Sequence, residues 1–135
     1  MPTPKPPNNA LDYVLNLGHN QKVKAIKFHP KALEFVRDQS AAIKQEVGEA
    51  LRDVQRGMSL GMPLSRPMSD VAVGVHELRV KDEATAVRVF YFVKVADAIV
   101  VFHGLQKKTQ KTPKHEMEVG SKRLREVLDG KVEGK

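Results

Sequence analysis

The residues best suited to chemistry are crowded into one short segment, Gly104 to His115, which reads GLQKKTQKTPKH. It carries Lys107, Lys108, Lys111 and Lys114 and no acidic residue. Four like charges in so short a stretch repel one another, which costs folding free energy unless an anion lies among them. Thr109, Gln110 and Thr112 add side-chain donors of the kind that meet phosphate oxygens. A solvated basic turn is the plainest account of such a cluster on its own. A phosphate grip is the functional alternative.

Two arginines weigh toward the grip. Arg79 ends an apolar run, VHELRV (75–80), and Arg88 lies at the start of the next, AVRVFYFVK (86–94). A tight antiparallel turn brings the two guanidiniums near each other, with Arg88 on the same strand face as Phe90 and Phe92. A third run, AIVVFH (98–103), ends at His103 and delivers Lys107 and Lys108 to the same region. Guanidiniums match phosphate bidentately, and an ammonium crowded by other cations gives up its proton more readily. The arrangement suits cleavage of a phosphodiester, or a simple hold on it.

The other polar and aromatic candidates carry less. His76, His103 and His115 bracket the basic loop. His103 closes a buried strand, where a histidine satisfied inside the core outweighs one that touches RNA. Tyr91 falls opposite Arg88 by strand parity, with Val89 and Val93, and reads as core. Phe90 and Phe92 read as core ahead of base-stacking. His19 and His29 read as loop and helix-entry residues. There is no cysteine and no His, Asp or Glu cluster at ligand spacing, so neither a metal nor another cofactor is expected.

Positioning these groups requires a small sheet. Lys22 to His29 alternates as a first strand, with Ile26 and Phe28 on one face. Pro30 opens a helix. Ile43, Val47, Leu51 and Val54 then recur at helical spacing, with Ser40 as N-cap and Gly57 as the stop. Residues 58–74, with Gly61, Pro63, Pro67 and Gly74, form a long irregular connection. Three strands follow in a meander. Thr112 and Pro113 open a last helix that turns Met117, Leu124 and Val127 or Leu128 inward and ends at Gly130. The order is β-α-α-β-β-β-α: an α+β domain with a small, mostly antiparallel sheet of about four strands and the helical hairpin packed on one face.

Bulk properties limit the setting. The chain of 135 residues suffices for one domain, and 41% apolar with 29% charged residues is an ordinary globular balance. Residues 1–21, opening MPTPKPPNN, form an N-terminal extension expected to be loose, and 131–135 a tail. That start has no apolar signal region and no run reaches membrane-span length, so a cytoplasmic protein without a membrane partner is expected. The net charge of +7 favours polyanionic partners.

The succession HELRV, VRVFYF, IVVFHGLQKKTQKTP and a helix containing KRLREVL resembles the phage-derived Gp49-like branch of RelE/ParE toxins, close to the HigB toxins. GMPLSRPM resembles the family's loop ahead of the second strand. The resemblance covers about 25–128 and implies a toxin domain over 22–130. It also implies an RNase that enters the ribosomal A site and cuts mRNA without a metal, silenced by a cognate antitoxin, expected to be a helix-turn-helix protein. Arg88 matches the strand arginine that holds the scissile phosphate, Lys108 a second catalytic cation with Lys107 beside it, and Arg79 the arginine of the ELR motif. Lys111, Lys114, Thr109, Gln110 and His103 fall to RNA binding. Pro113 and Lys114 stand where some RelE members carry a catalytic tyrosine, and Glu77 where RelE itself has lysine. A ParE-like gyrase inhibitor and a non-catalytic phage-derived binding module share the fold and remain open. Oligomeric state is not legible.

Overall fold

The computed structural model describes residues 23–108 and 111–132. Along the chain these form β1 (Ala25–Phe28), α1 (Pro30–Arg37), α2 (Ala41–Gln55), β2 (Ser65–Pro67), β3 (Val75–Lys81), β4 (Ala86–Phe92), β5 (Ala98–Gln106) and α3 (Lys114–Leu128). The sheet has five strands in the order β1-β5-β4-β3-β2. The β2–β3, β3–β4 and β4–β5 pairings are antiparallel, and β1 runs parallel to β5. The fold is α+β, as the sequence predicts, with one strand more than expected. The extra strand is β2, inside the stretch read as irregular. Three residues ending in a proline give almost no periodic signal, and proline is tolerated there because β2 is a sheet edge.

The helical hairpin forms for the reasons legible in its sequence. His29 caps α1 by accepting from the Lys31 amide, and Pro30 occupies the first turn, where its missing N–H is not needed. The Ser40 hydroxyl caps α2 by accepting from the Ile43 amide and donates to Asp82 in the β3–β4 turn, 2.7 Å away. Gly57, at φ +92°, takes the left-handed conformation that stops α2. Asp82 accepts from the amides of Ala84 and Thr85, which closes the turn that sets Arg79 opposite Arg88.

Strand alternation builds two cores. On one face Leu78, Val80, Val87, Val89, Tyr91, Ile99 and Val101 pack against Ile43, Val47, Leu51 and Val54 of α2. On the other face Phe90, Val100, Phe102 and Leu105 pack against Leu124 of α3, with Met117 and Val127 half-buried beside them. Leu128, the alternative inward residue, is exposed. The sheet is thus covered on both faces. β4 and β5 are apolar on both sides for that reason.

One irregularity matters for function. β5 carries an extra residue opposite Phe90 and Tyr91, so Phe90 pairs with His103 while Tyr91 pairs with Val101. Phe102 and His103 therefore both face α3, against strict alternation. No helix among the described residues is long and apolar enough to cross a membrane.

Candidate functional site

Where β5 ends, α1 and α3 flank the sheet, and a cleft of about 640 Å³ opens between them. Arg88, His103, Lys107 and Lys108 line it, with Glu34 and Phe35 from α1, Asp38 at its C-cap, and His115, Glu116 and Arg123 from α3. β5 runs to Gln106, three residues past the sequence expectation, and the Lys107 amide still bonds to the Ala86 carbonyl at 2.8 Å. Lys107 thus leaves a fixed strand end, and its side chain and that of Lys108 are exposed.

Arg88 is only 2% exposed. Its Nη1 donates to the Thr112 hydroxyl at 2.6 Å, and that hydroxyl donates to Glu77 Oε2 at 2.5 Å. Glu77, fully buried on β3, lies 3.7 Å from Arg88 and accepts from Arg79 Nε at 3.2 Å. One carboxylate therefore holds two guanidiniums, and Thr112 stitches the end of the basic loop to the pair. A buried charge is tolerable only when paired and hydrogen-bonded in this way. Arg79 and Arg88 converge as their strand positions predict, but onto Glu77, and the aromatic rings beside Arg88 are core. The Thr112 hydroxyl, read from sequence as a donor to phosphate, is spent inside this network. Residue chemistry gives Glu77 no signal beyond its place in an alternating strand, and only the ELR motif of the family resemblance marks it.

His103 is satisfied internally. Arg123 Nη1 can only donate, so His103 Nδ1 accepts from it at 2.9 Å, and the ring proton must sit on Nε2. Nε2 then donates to Glu116 at 2.7 Å. Burial pushes the imidazole below its ordinary range; the bond to Glu116 opposes this and the charge of Arg123 adds to it. His29 repeats the pattern, its Nε2 donating to Glu126 at 2.9 Å. Two histidine–glutamate bonds thus tie α3 to the sheet and to the head of α1.

The remaining candidates separate. Lys111 and Lys114 are exposed. Thr109 and Gln110 lie outside the described residues. His115 lines the cleft. His76 does not adjoin the basic loop: it stacks on Tyr91, ring centroids 5.3 Å apart, beside a separate cleft of about 220 Å³. Tyr91 is buried, hydrogen-bonded to Ser65 at 2.6 Å. Among the described residues no three His, Cys, Asp or Glu side chains group as metal ligands would.

The family model for phage-derived protein Gp49-like (DUF891) matches residues 34–125. That span reaches from α1 into α3 and includes every cleft residue named above. The chain belongs to the phage-derived Gp49-like family. This family lies within the RelE/ParE-like toxin superfamily. No curated protein matched the chain.

Proposed function

We propose that this Gp49-like protein is the toxin of a type II toxin–antitoxin pair, and that it cuts mRNA on the ribosome. The observation that carries the reading is the gathering of Arg88, Lys107 and Lys108 around one cleft in a chain of this superfamily. In the proposed reaction a ribose 2′-hydroxyl attacks the adjacent phosphorus and gives up its proton to a neutral lysine or histidine. The bond to the 5′-oxygen breaks, that oxygen takes a proton, and a 2′,3′-cyclic phosphate remains. Lys108, Lys107 and the guanidinium of Arg88 would stabilise the charge that builds on the phosphoryl oxygens. A cationic site repels Mg²⁺, so the reaction is expected to need none. A cognate antitoxin would cover the same basic face.

The test is cleavage of a reporter mRNA by the purified protein with ribosomes, with product ends mapped. Cyclic-phosphate ends, produced with and without a chelator at concentrations that leave ribosomes intact, are the expected result. Stable ribosome association without cleavage supports a second reading, a non-catalytic phage-derived binding module. The burial of Arg88 against Glu77 favours that alternative, because a guanidinium already paired has less charge to offer a substrate. Inhibition of gyrase with mRNA left intact would instead place the protein with ParE-like toxins.

A further inference from the structure

The cleft is not uniformly basic. The wall formed by α1 and its C-cap carries Glu34 and Asp38, four residues apart, with Phe35 between them in sequence. Neither carboxylate joins an ion pair among the described residues, although lysines line the same cleft. A carboxylate in a site for phosphodiesters is unfavourable toward the phosphate by Coulomb repulsion, so it must meet a different part of the ligand. Phe35 is half-buried, and its ring lies over the backbone of Gly104 so closely that a Cβ there would overlap it. The ring is therefore a fixed apolar surface at the edge of the cleft.

We propose that the cleft is a nucleotide site of split polarity that selects guanine. The phosphate meets Lys107, Lys108 and Arg88, while the attached base stacks on Phe35 and turns its Watson–Crick edge to Glu34 or Asp38. A carboxylate offers two acceptors side by side. Guanine alone among the four bases presents two adjacent donors on that edge, N1–H and the N2 amino group. Adenine and cytosine place an acceptor next to their amino groups, and uracil sets its one N–H between two carbonyls. Edge reading of unstacked bases together with aromatic stacking is how single-stranded RNA is recognised sequence-specifically. The cleft volume falls within the range of about 300–1,000 Å³ common for small-ligand sites. The assignment rests on the RNA-cutting reading for its class of ligand, and the experiment separates the two.

The full chain is titrated, by fluorescence anisotropy, with uncleavable 2′-O-methyl heptamers of uridine carrying one central guanine, inosine or adenine. Guanine is expected to bind about tenfold tighter than adenine, with inosine, which lacks the N2 amino group, in between. In the Glu34→Gln/Asp38→Asn double variant the guanine advantage disappears, while the adenine heptamer binds as before or tighter, because two negative charges are gone. Both positions are exposed, so folding is not at stake. Equal affinities in the wild type, or a guanine preference that survives in the double variant, overturns the proposal and leaves the RNA-cutting reading standing. If the Lys107→Ala/Lys108→Ala variant binds all three heptamers as the wild type does, RNA does not use this cleft and both readings fall. Failure of every heptamer to bind the wild type at micromolar protein overturns the guanine site alone, and the ribosome-dependent cleavage assay decides the RNA-cutting reading.

Discussion

Glu77 Oε2 and Arg88 Nη1 lie 3.7 Å apart across the β3–β4 pair, and the Thr112 hydroxyl bridges them. Both charged groups are out of water, so each depends on the other. Replacing Glu77 with alanine leaves Arg88 buried without its carboxylate and is expected to cost about 3–5 kcal/mol in denaturant unfolding. Thr112→Val keeps the shape but strands two hydrogen-bonding groups, for about 1–3 kcal/mol, and Thr112→Ser restores most of it. A Glu77→Ala protein within about 0.5 kcal/mol of wild type would show that the network adds nothing.

The exposed lysines give the cleaner functional test. Lys107→Ala and Lys108→Ala should leave stability within about 0.5 kcal/mol of wild type, since neither side chain is buried. Loss of either as a phosphate contact should slow cleavage by about a hundredfold. Lys108→Arg then separates two roles. Recovery of most activity marks Lys108 as a source of charge; continued loss marks it as a proton carrier, because a guanidinium stays protonated. Unchanged rates in both alanine variants and their double would remove the site.

Stability should fall in mild acid. Burial holds His103 and His76 below the ordinary imidazole range. The unfolded chain takes up each proton near pH 6.5, the folded protein only at lower pH. The unfolded state therefore binds more protons as pH falls below about 6.5 toward the folded values, and stability drops by at most about 1.4 kcal/mol per pH unit for His103, while the partly exposed His76 adds less because solvent screens it. Above that window the full stability is present. Denaturant midpoints between pH 7.5 and 5 measure this, and His103→Gln should flatten the curve. Asp82 and Glu126 are held low chiefly by Ser40 and His29, and they add losses only in stronger acid. A midpoint that does not move between pH 7.5 and 5 would contradict the burial of the His103 ring.

Gly104 should tolerate no side chain. A Cβ there would overlap Phe35 Cδ2 and stand 2.8 Å from Cε2. Gly104→Ala must push the ring away from β5, at about 1–3 kcal/mol. Pairing it with Phe35→Leu, which trims the ring, should recover part of the loss. Full stability of the single variant would mean that the ring moves freely.

How far the sequence reveals all this depends on the kind of signal each residue leaves. Ser40, Pro30, Gly57 and the spacing of Ile43, Val47, Leu51 and Val54 act locally, and each appears where its local chemistry puts it. The facing of Arg79 and Arg88 follows from a short turn between two alternating strands. What stays hidden is set by partners distant in sequence. Thr112 is a phosphate donor by type and a bridge by position, and only the fold brings it to Glu77, thirty-five residues away. The pairing of His103 with Glu116 and Arg123 depends on the extra residue in β5, which has no compositional mark. Glu34 and Asp38 look like the solvated side of an ordinary helix until the end of β5 is set beside them.

The parallel pairing of β1 with β5 also constrains when the protein can fold. Ala25 meets Ala98 and Phe28 meets Val101, so the first strand of the sheet waits for the last. Its neighbour along the whole pairing is a strand synthesised more than seventy residues later. The bridging hydroxyl of Thr112 and the helix that carries Glu116 and Arg123 come later still. A growing chain on the ribosome thus cannot assemble the cleft until α3 has emerged, because non-local strand pairs must close long loops before they gain stability. The cleft is therefore a late product of synthesis, closed only once the chain from β1 through α3 is free to fold.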